Sequence, residues 1–175
     1  MAANLVGRNP DREIEAVMVS ITCKTQRNNM TSEIQNFITS KHIAVLGASP
    51  SGKKFGNAIY RELKIKGYQV YPVHPTAESI ENDRAYNSLK ALPGEVTAAV
   101  FAISPEKALE AVDDAVAHGT KRTWFQQGAN FKLAVEKAKA AGIETVTRKC
   151  ILMYVPPVNS IHAVHRFFAK IFGRV

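Results

Sequence analysis

Glycine, serine and lysine crowd into one stretch, VLGASPSGKKFG from Val45 to Gly56, and together those residue types suit the binding of phosphate. Glycine lets the backbone approach a ligand closely or take angles that other residues avoid, which Gly47 and Gly52 would exploit. Ser49 and Ser51 carry hydroxyls able to donate to phosphate oxygens, and Lys53 or Lys54 supplies a mobile positive charge. Ala48 and Pro50 complete the loop Gly47–Lys53. Exposed backbone amides at a strand-to-helix junction, with the positive end of the helix behind them, can hold phosphate without a metal.

Two better-known phosphate patterns fail here. Gly47 to Lys53 satisfies the start of G-x-x-x-x-G-K, but Lys54 stands where serine or threonine would bind magnesium, and no later strand end offers a Walker-type acid. ATP hydrolysis is therefore disfavoured. The glycines do not reproduce G-x-G-x-x-G, and the second strand leads to His74 and Pro75 rather than to an acid placed for a ribose diol. NAD or NADP stays open as an alternative because glycine fingerprints vary.

The remaining polar residues assemble no complete catalytic set. His74 has no acidic neighbour in sequence, so contact with a ligand or stabilisation of a turn suits it better than proton transfer. His42 and His118 invite no assignment. His162 and His165 have a spacing compatible with metal ligation, yet no cysteine or clear carboxylate accompanies them, and no metal site is expected. Cys150 follows Arg148 and Lys149, which could activate a thiol; a structural thiol is the simpler expectation. Trp124 and Phe125 fit packing against a helix better than a stacking platform. Cys23 and Cys150 are too few for a disulfide framework.

A chain of 175 residues with 46% hydrophobic and 22% charged residues can bury one sizeable core. The net charge of +8 is uneven: beyond Glu144 there is no acid, while Arg148, Lys149, Arg166, Lys170 and Arg174 follow. Without a dense basic block or RNA-stacking aromatics, nucleic-acid binding is not expected. No apolar stretch suits a bilayer or a signal peptide, so no membrane association and a cytoplasmic location are expected.

Residues 1–30 read as a variable front segment, with a short strand at Glu15–Thr22 and Met30 as an alternative start. Residues 31–175 read as a single domain. Ser32 and Gln35 have capping-box spacing, and Ile34, Phe37 and Ile38 give a short helix its apolar face. Strands and helices then alternate. HIAVLGA is a strand, and the helix after its loop packs through Phe55, Ile59, Leu63 and Ile65; YQVYPVHP is the second strand. After a polar crossover with a helical turn near Tyr86 and Leu89 comes TAAVFAIS, the third strand. Ser104 and Pro105 start a helix that packs through Ala108, Val112, Ala115 and Val116. KRTWFQQ, a helix from Asn130 to Ala141 and IETVTRK follow, and HAVHRFFAKIF forms a last helix steered by Pro156 and Pro157. This order predicts an α/β fold, a doubly wound Rossmann-like domain with a mostly parallel five-stranded sheet.

Five segments in this order, VLGASPSGKKFG, GYQVYPVHP, VFAISPEKALEAVDDAVAHGTKRTWFQQG, AKAAGIETVTRKC and ILMY, resemble the small bacterial coenzyme A-binding proteins. Those proteins are in turn similar to the N-terminal domain of the succinate–CoA ligase alpha subunit. The likeness runs from Ser40 to about Tyr154. It implies coenzyme A or acyl-CoA laid across the carboxyl ends of the strands, with Gly47–Lys53 facing phosphate and His74–Pro75 near the adenosine or pyrophosphate. Ile103, Ser104 and Pro105 match one turn lining the related pocket, and Gln127 and Gly128 match another. The larger ligase carries its phosphorylated histidine in a following domain for which this chain has no room. The expectation is thus binding without turnover by this chain alone. Alternatives are a component of acyl-CoA ligase chemistry that depends on an enzyme partner, and a regulatory protein responding to NAD or another nucleotide. A homodimer is compatible with either.

Overall fold

The computed structural model describes residues 32–155. The strand expected at Glu15–Thr22, the alternative start at Met30, His162, His165 and the last helix lie outside them.

Residues 32–38 form helix α1. It is followed by β1 (His42–Leu46), α2 (Phe55–Ile65), β2 (Gln69–Val73), β3 (Ser79–Ile80), β4 (Asp83–Arg84) and a 3-10 turn at Leu89–Ala91. Then come β5 (Ala98–Phe101), α3 (Pro105–His118), β6 (Arg122–Gln126), α4 (Lys132–Ala140), β7 (Glu144–Lys149) and a 3-10 turn at Ile151–Met153.

Successive side chains of a strand point to opposite faces, and here both faces are apolar. In β1, Ile43 and Val45 join a core with Phe37 of α1 and Ile59, Tyr60 and Leu63 of α2. Ala44 and Leu46 join a second core with Val112 of α3 and Ala134 and Ala138 of α4. Every residue of β5 is buried. Covering both faces with helices is what makes the domain doubly wound.

The sheet runs β2-β1-β5-β6-β7 with every pairing parallel. From β1 the chain first winds to β2 on one side and later returns to β5 on the other. The winding direction thus reverses between β1 and β5, which opens a crevice at their carboxyl ends, the usual ligand position in such sheets.

Three details differ from the sequence reading. Ile65 is 79% exposed because it lies more than half a turn past Leu63; Tyr60, adjacent to Ile59, completes the buried stripe instead. Val116 is 46% exposed, having drifted to the margin of the stripe formed by Ala108, Val112 and Ala115. The polar crossover contains an antiparallel hairpin, β3 with β4, pairing Ser79 with Arg84 and Ile80 with Asp83. Its two-residue turn, Glu81–Asn82, has positive φ at both positions (54° and 67°), as a type I′ turn requires.

Trp124 and Phe125 are fully buried on opposite faces of the sheet. Trp124 meets Phe37 edge-on at 5.3 Å and donates its indole N–H to the Lys149 carbonyl at 2.9 Å. Phe125 stacks on Phe101 at 4.7 Å. Cys150 is buried in the core shared with Trp124. All three side chains pack the interior.

Candidate functional site

The site begins where β1 ends. Gly47 has a φ of +107°, and a Cβ placed on it would lie 2.1 Å from the Ala102 carbonyl oxygen just past β5. A Cβ on Gly56, in the first turn of α2, would lie 2.2 Å from the Gly47 carbonyl carbon and 2.4 Å from the Ala48 nitrogen. The β1 loop is therefore pressed between a neighbouring strand end and the start of a helix, and only glycine fits at either contact. The Ala102 N–H also donates to the Leu46 carbonyl at 3.0 Å, extending the β1–β5 pairing into the crevice mouth.

One buried side chain sets the loop's path. Asn57, one residue beyond Gly56, is fully buried. Its Oδ1 accepts the Ser49 N–H at 3.0 Å while its Nδ2 donates to the Ser49 carbonyl at 2.8 Å. Its Nδ2 also donates to Glu81 Oε1 at 2.8 Å. Further round the loop, the Gly52 N–H donates to the Ser49 carbonyl at 3.1 Å, and Arg61 donates to the Gly52 carbonyl. The Ser49 and Ser51 hydroxyls lie 2.8 Å apart. The Ser49 and Gly52 amides are thus used inside the loop, while its hydroxyls, Lys54 and the start of α2 behind them are groups that can meet an anion.

A cleft of about 680 Å³ opens at this switch point, within the range of small-molecule sites. Gly47, Ala48, Ser49 and Lys54 form one wall; His74 and Pro75, after β2, another. Ile103 and Ser104 follow β5, and the α3 residues Lys107, Glu110 and Asp114 extend the lining. Lys54 is the N-cap of α2 and Ser104 the N-cap of α3, so the positive ends of both helices border the cleft. The far end is mixed in charge, with Asp114 bound to Lys90 at 2.7 Å beside Glu110. At the start of α3, Glu106 accepts its own backbone N–H and then the Ser104 hydroxyl, and both hold its carboxyl below the ordinary value.

His74 is oriented by its surroundings. Its Nδ1 accepts the backbone N–H groups of Thr76 at 3.3 Å and Ala77 at 3.1 Å. Accepting at Nδ1 leaves Nε2 as the nitrogen that can donate. Such a donor suits a phosphate or carbonyl oxygen.

Of the residues singled out in sequence, the structure brings Gly47, Ala48, Ser49, His74, Pro75, Ile103 and Ser104 together in the cleft lining. Pro50, Ser51, Gly52 and Lys53 continue the loop outside that lining, and Lys53 is exposed; the lining takes Lys54 instead. Pro105 opens α3 behind Ser104. Gln127 and Gly128 form an exposed turn after β6, outside the cleft lining, where the Gln127 N–H donates to the Lys149 carbonyl at 3.3 Å. Sequence reasoning missed Gly56, Asn57, Arg61, Glu81 and the α3 wall. An asparagine in a helical first turn, where its propensity is poor, was a weak signal for Asn57; nothing local pointed to Glu81.

A parallel doubly wound sheet whose switch-point cleft is bordered by two helix N-termini, a glycine-pinned loop and an oriented histidine defines the Rossmann-like class of ligand-binding domains. The chain matches the CoA binding domain family over residues 41–156. It belongs to that family.

Among curated relatives, it is 40% identical over 72 residues to the alpha subunit of acetate–CoA ligase [ADP-forming] II of Pyrococcus furiosus, a match covering 41% of this chain and 16% of that subunit. It is 25% identical over 126 residues to the uncharacterized protein YneT of Bacillus subtilis, covering 71% of this chain and 93% of that protein. The chain thus spans a small part of the ligase subunit and nearly all of the second relative. A solved structure of a hypothetical protein from Pyrococcus horikoshii superposes with a TM-score of 0.64 at 30% identity, covering 69% of this chain and 85% of the other. No helix among the described residues is long and apolar enough to cross a membrane.

Proposed function

We propose that this chain binds coenzyme A or an acyl-CoA derivative in the switch-point cleft and that it does not turn the ligand over alone. The observation that carries the reading is the cleft itself, a volume of about 680 Å³ whose loop wall leaves no room for a Cβ at Gly47 or Gly56. Membership of the CoA binding domain family supports the choice of ligand.

In this reading Lys54, the Ser49 hydroxyl and the N-terminal ends of α2 and α3 hold phosphate, and Lys53 adds charge from outside the lining. His74 donates from Nε2 to the nucleotide part of the ligand. Ile103, Ser104 and Pro105 form the turn over which the ligand passes, and Gln127 and Gly128 meet a part that extends beyond the cleft. The bound thiol or thioester supplies acyl-transfer chemistry, and what this chain contributes is binding and orientation. His74, fixed between backbone amides, holds its proton on Nε2 rather than relaying it.

Calorimetric titration tests the assignment, with coenzyme A, acetyl-CoA, NAD and ATP compared in metal-free buffer. One-site coenzyme A binding, weakened about tenfold by Lys54→Ala and less by Lys53→Ala, is expected. Binding of NAD or ATP without coenzyme A would sink it.

A second reading, a component of acyl-CoA ligase chemistry working with an enzyme partner, is favoured by the likeness to a ligase alpha subunit. It requires a stoichiometric complex in which acyl-CoA turnover appears, and the absence of turnover by the isolated chain.

A further inference from the structure

Glu81 occupies a backbone position unsuited to it. It is the first central residue of the β3–β4 turn, with a φ of 54°. Type I′ turns favour glycine, asparagine or aspartate there, and a residue with a longer side chain costs roughly 1 kcal/mol or more in the left-handed region. Asn82, the second central residue at 67°, follows the preference; Glu81 does not.

What Glu81 gains in return lies on α2. Its Oε1 accepts from Asn57 Nδ2 at 2.8 Å and from Arg61 at 2.9 Å. Asn57 and Arg61 are one helical turn apart on the same face, and each also grips the β1 loop, Asn57 at Ser49 and Arg61 at the Gly52 carbonyl. One carboxylate therefore orients both side chains that hold the two ends of the Ser49–Gly52 turn. It also fixes which way the Asn57 amide faces: with Nδ2 turned to Glu81 and to the Ser49 carbonyl, Oδ1 is left to accept the Ser49 N–H. Flipping the amide would set its oxygen against the carboxylate.

The hairpin that carries Glu81 is anchored independently. Asp83, on β4, accepts from Tyr60 and Lys64 of α2, and the Ala85 N–H donates to the Glu78 carbonyl at 2.9 Å across the hairpin. Four α2 residues, Asn57, Tyr60, Arg61 and Lys64, thus bind the two carboxylates of one short hairpin.

We infer that Glu81 is a positioning residue for the ligand loop, acting through Asn57 and Arg61 to hold Ser49–Gly52 in its binding shape before the ligand arrives. It does not line the cleft. The inference rests on the cleft being the ligand site, but its first readout does not need a ligand.

Two variants separate side chain from backbone. Glu81→Gly removes the carboxylate while relieving the positive φ, so the hairpin is not penalised; Glu81→Gln keeps an oxygen acceptor. Amide hydrogen exchange is measured by NMR on the unliganded chain, following Ser49 in the loop and Val100 in the centre of β5. In Glu81→Gly the Ser49 amide is expected to exchange at least about tenfold faster with Val100 unchanged, and Glu81→Gln is expected to recover most of the protection. Coenzyme A titrated into the same samples should bind roughly tenfold more weakly to Glu81→Gly than to Glu81→Gln. Unchanged Ser49 protection in Glu81→Gly, or a loss shared equally by Val100, would overturn the inference. Failure of the unsubstituted chain to bind coenzyme A would count against the proposed ligand, while the exchange result would still decide the role of Glu81.

Discussion

An added Cβ at Gly47 or Gly56 would run into main chain at 2.1–2.2 Å, and main chain cannot rotate away as a side chain can. Gly94 has nothing within 4 Å of the same position. Gly47→Ala and Gly56→Ala should each cost about 1–3 kcal/mol or more, whereas Gly94→Ala should stay within about 0.5 kcal/mol, as read from urea unfolding midpoints. Gly47→Ala unfolding at the Gly94→Ala midpoint would mean that the β1–β5 junction yields. Charge at the hairpin makes a second prediction. The hydrogen bond from Arg61 lowers the Glu81 carboxyl below its ordinary 4.5; partial burial opposes it and the Asn57 hydrogen bond adds to it. At Asp83 burial pushes the carboxyl up, and the hydrogen bonds from Lys64 and Tyr60 with the Lys64 charge outweigh it, leaving a value below 3.8. A carboxyl lowered in the folded state binds fewer protons there than in the unfolded chain, so stability is lost as pH falls. The contribution is complete above about pH 5 and declines below the ordinary values of 4.5 and 3.8. Replacing both residues, Glu81→Gln with Asp83→Asn, should flatten that acid limb in thermal melts taken from pH 6 to pH 3. An unaltered slope would assign the acid sensitivity to other carboxylates.

The five strands of the main sheet were legible because each is a run of apolar, aromatic or β-branched residues closed by glycine, proline or a charged pair, and the helices because their buried residues recur at helical spacing. The hairpin was not. Its strands are two residues each, too short for any period, and its carboxylates look like solvent-facing charge until α2 supplies Tyr60, Arg61 and Lys64 from about twenty residues away. The candidate site divides in the same way. Glycine density marked the β1 loop, but the clamp on it is made by Asn57 across the loop and by Glu81 from another element, and no local composition encodes either pairing. Where an element is set by packing rather than by such polar ties, substitution should act on stability alone. Trp124 in β6 is fully buried between Phe37 of α1 and Tyr154, and it binds the Lys149 carbonyl of β7. Trp124→Ala should cost about 3–5 kcal/mol, and Trp124→Phe, which leaves the Lys149 carbonyl with the Gln127 N–H as a partner, about 0.5–1.5 kcal/mol. Denaturant midpoints give both values. A Trp124→Phe loss as large as that of Trp124→Ala would shift the weight from ring volume to the hydrogen bond.

A parallel sheet puts all its strand ends on one side, and the direction of winding decides where among them the crevice opens. Here that geometry gathers the N-terminal ends of α2 and α3, Lys54, Lys107 and His74 around one volume, in a chain whose net charge is +8. A polyanionic ligand entering it meets attraction from the whole molecule and from the site at once, and the two respond differently to salt. The general field is screened over roughly 10 Å at 0.1 M ionic strength, whereas charges within a partly enclosed cleft are screened less. Coenzyme A affinity should therefore fall as salt rises and level off at a residual value held by the cleft. Lys54→Ala should lower that residual value, because it removes a charge from the lining. Lys121→Ala, which takes the same charge from an exposed residue at the opposite, amino end of β6, should reduce the salt dependence slightly and leave the residual affinity in place. Titrations of the three proteins across a salt series test this. Equal residual affinity in Lys54→Ala and Lys121→Ala would mean that the ligand is held by the overall charge of the protein and not by the cleft at the switch point.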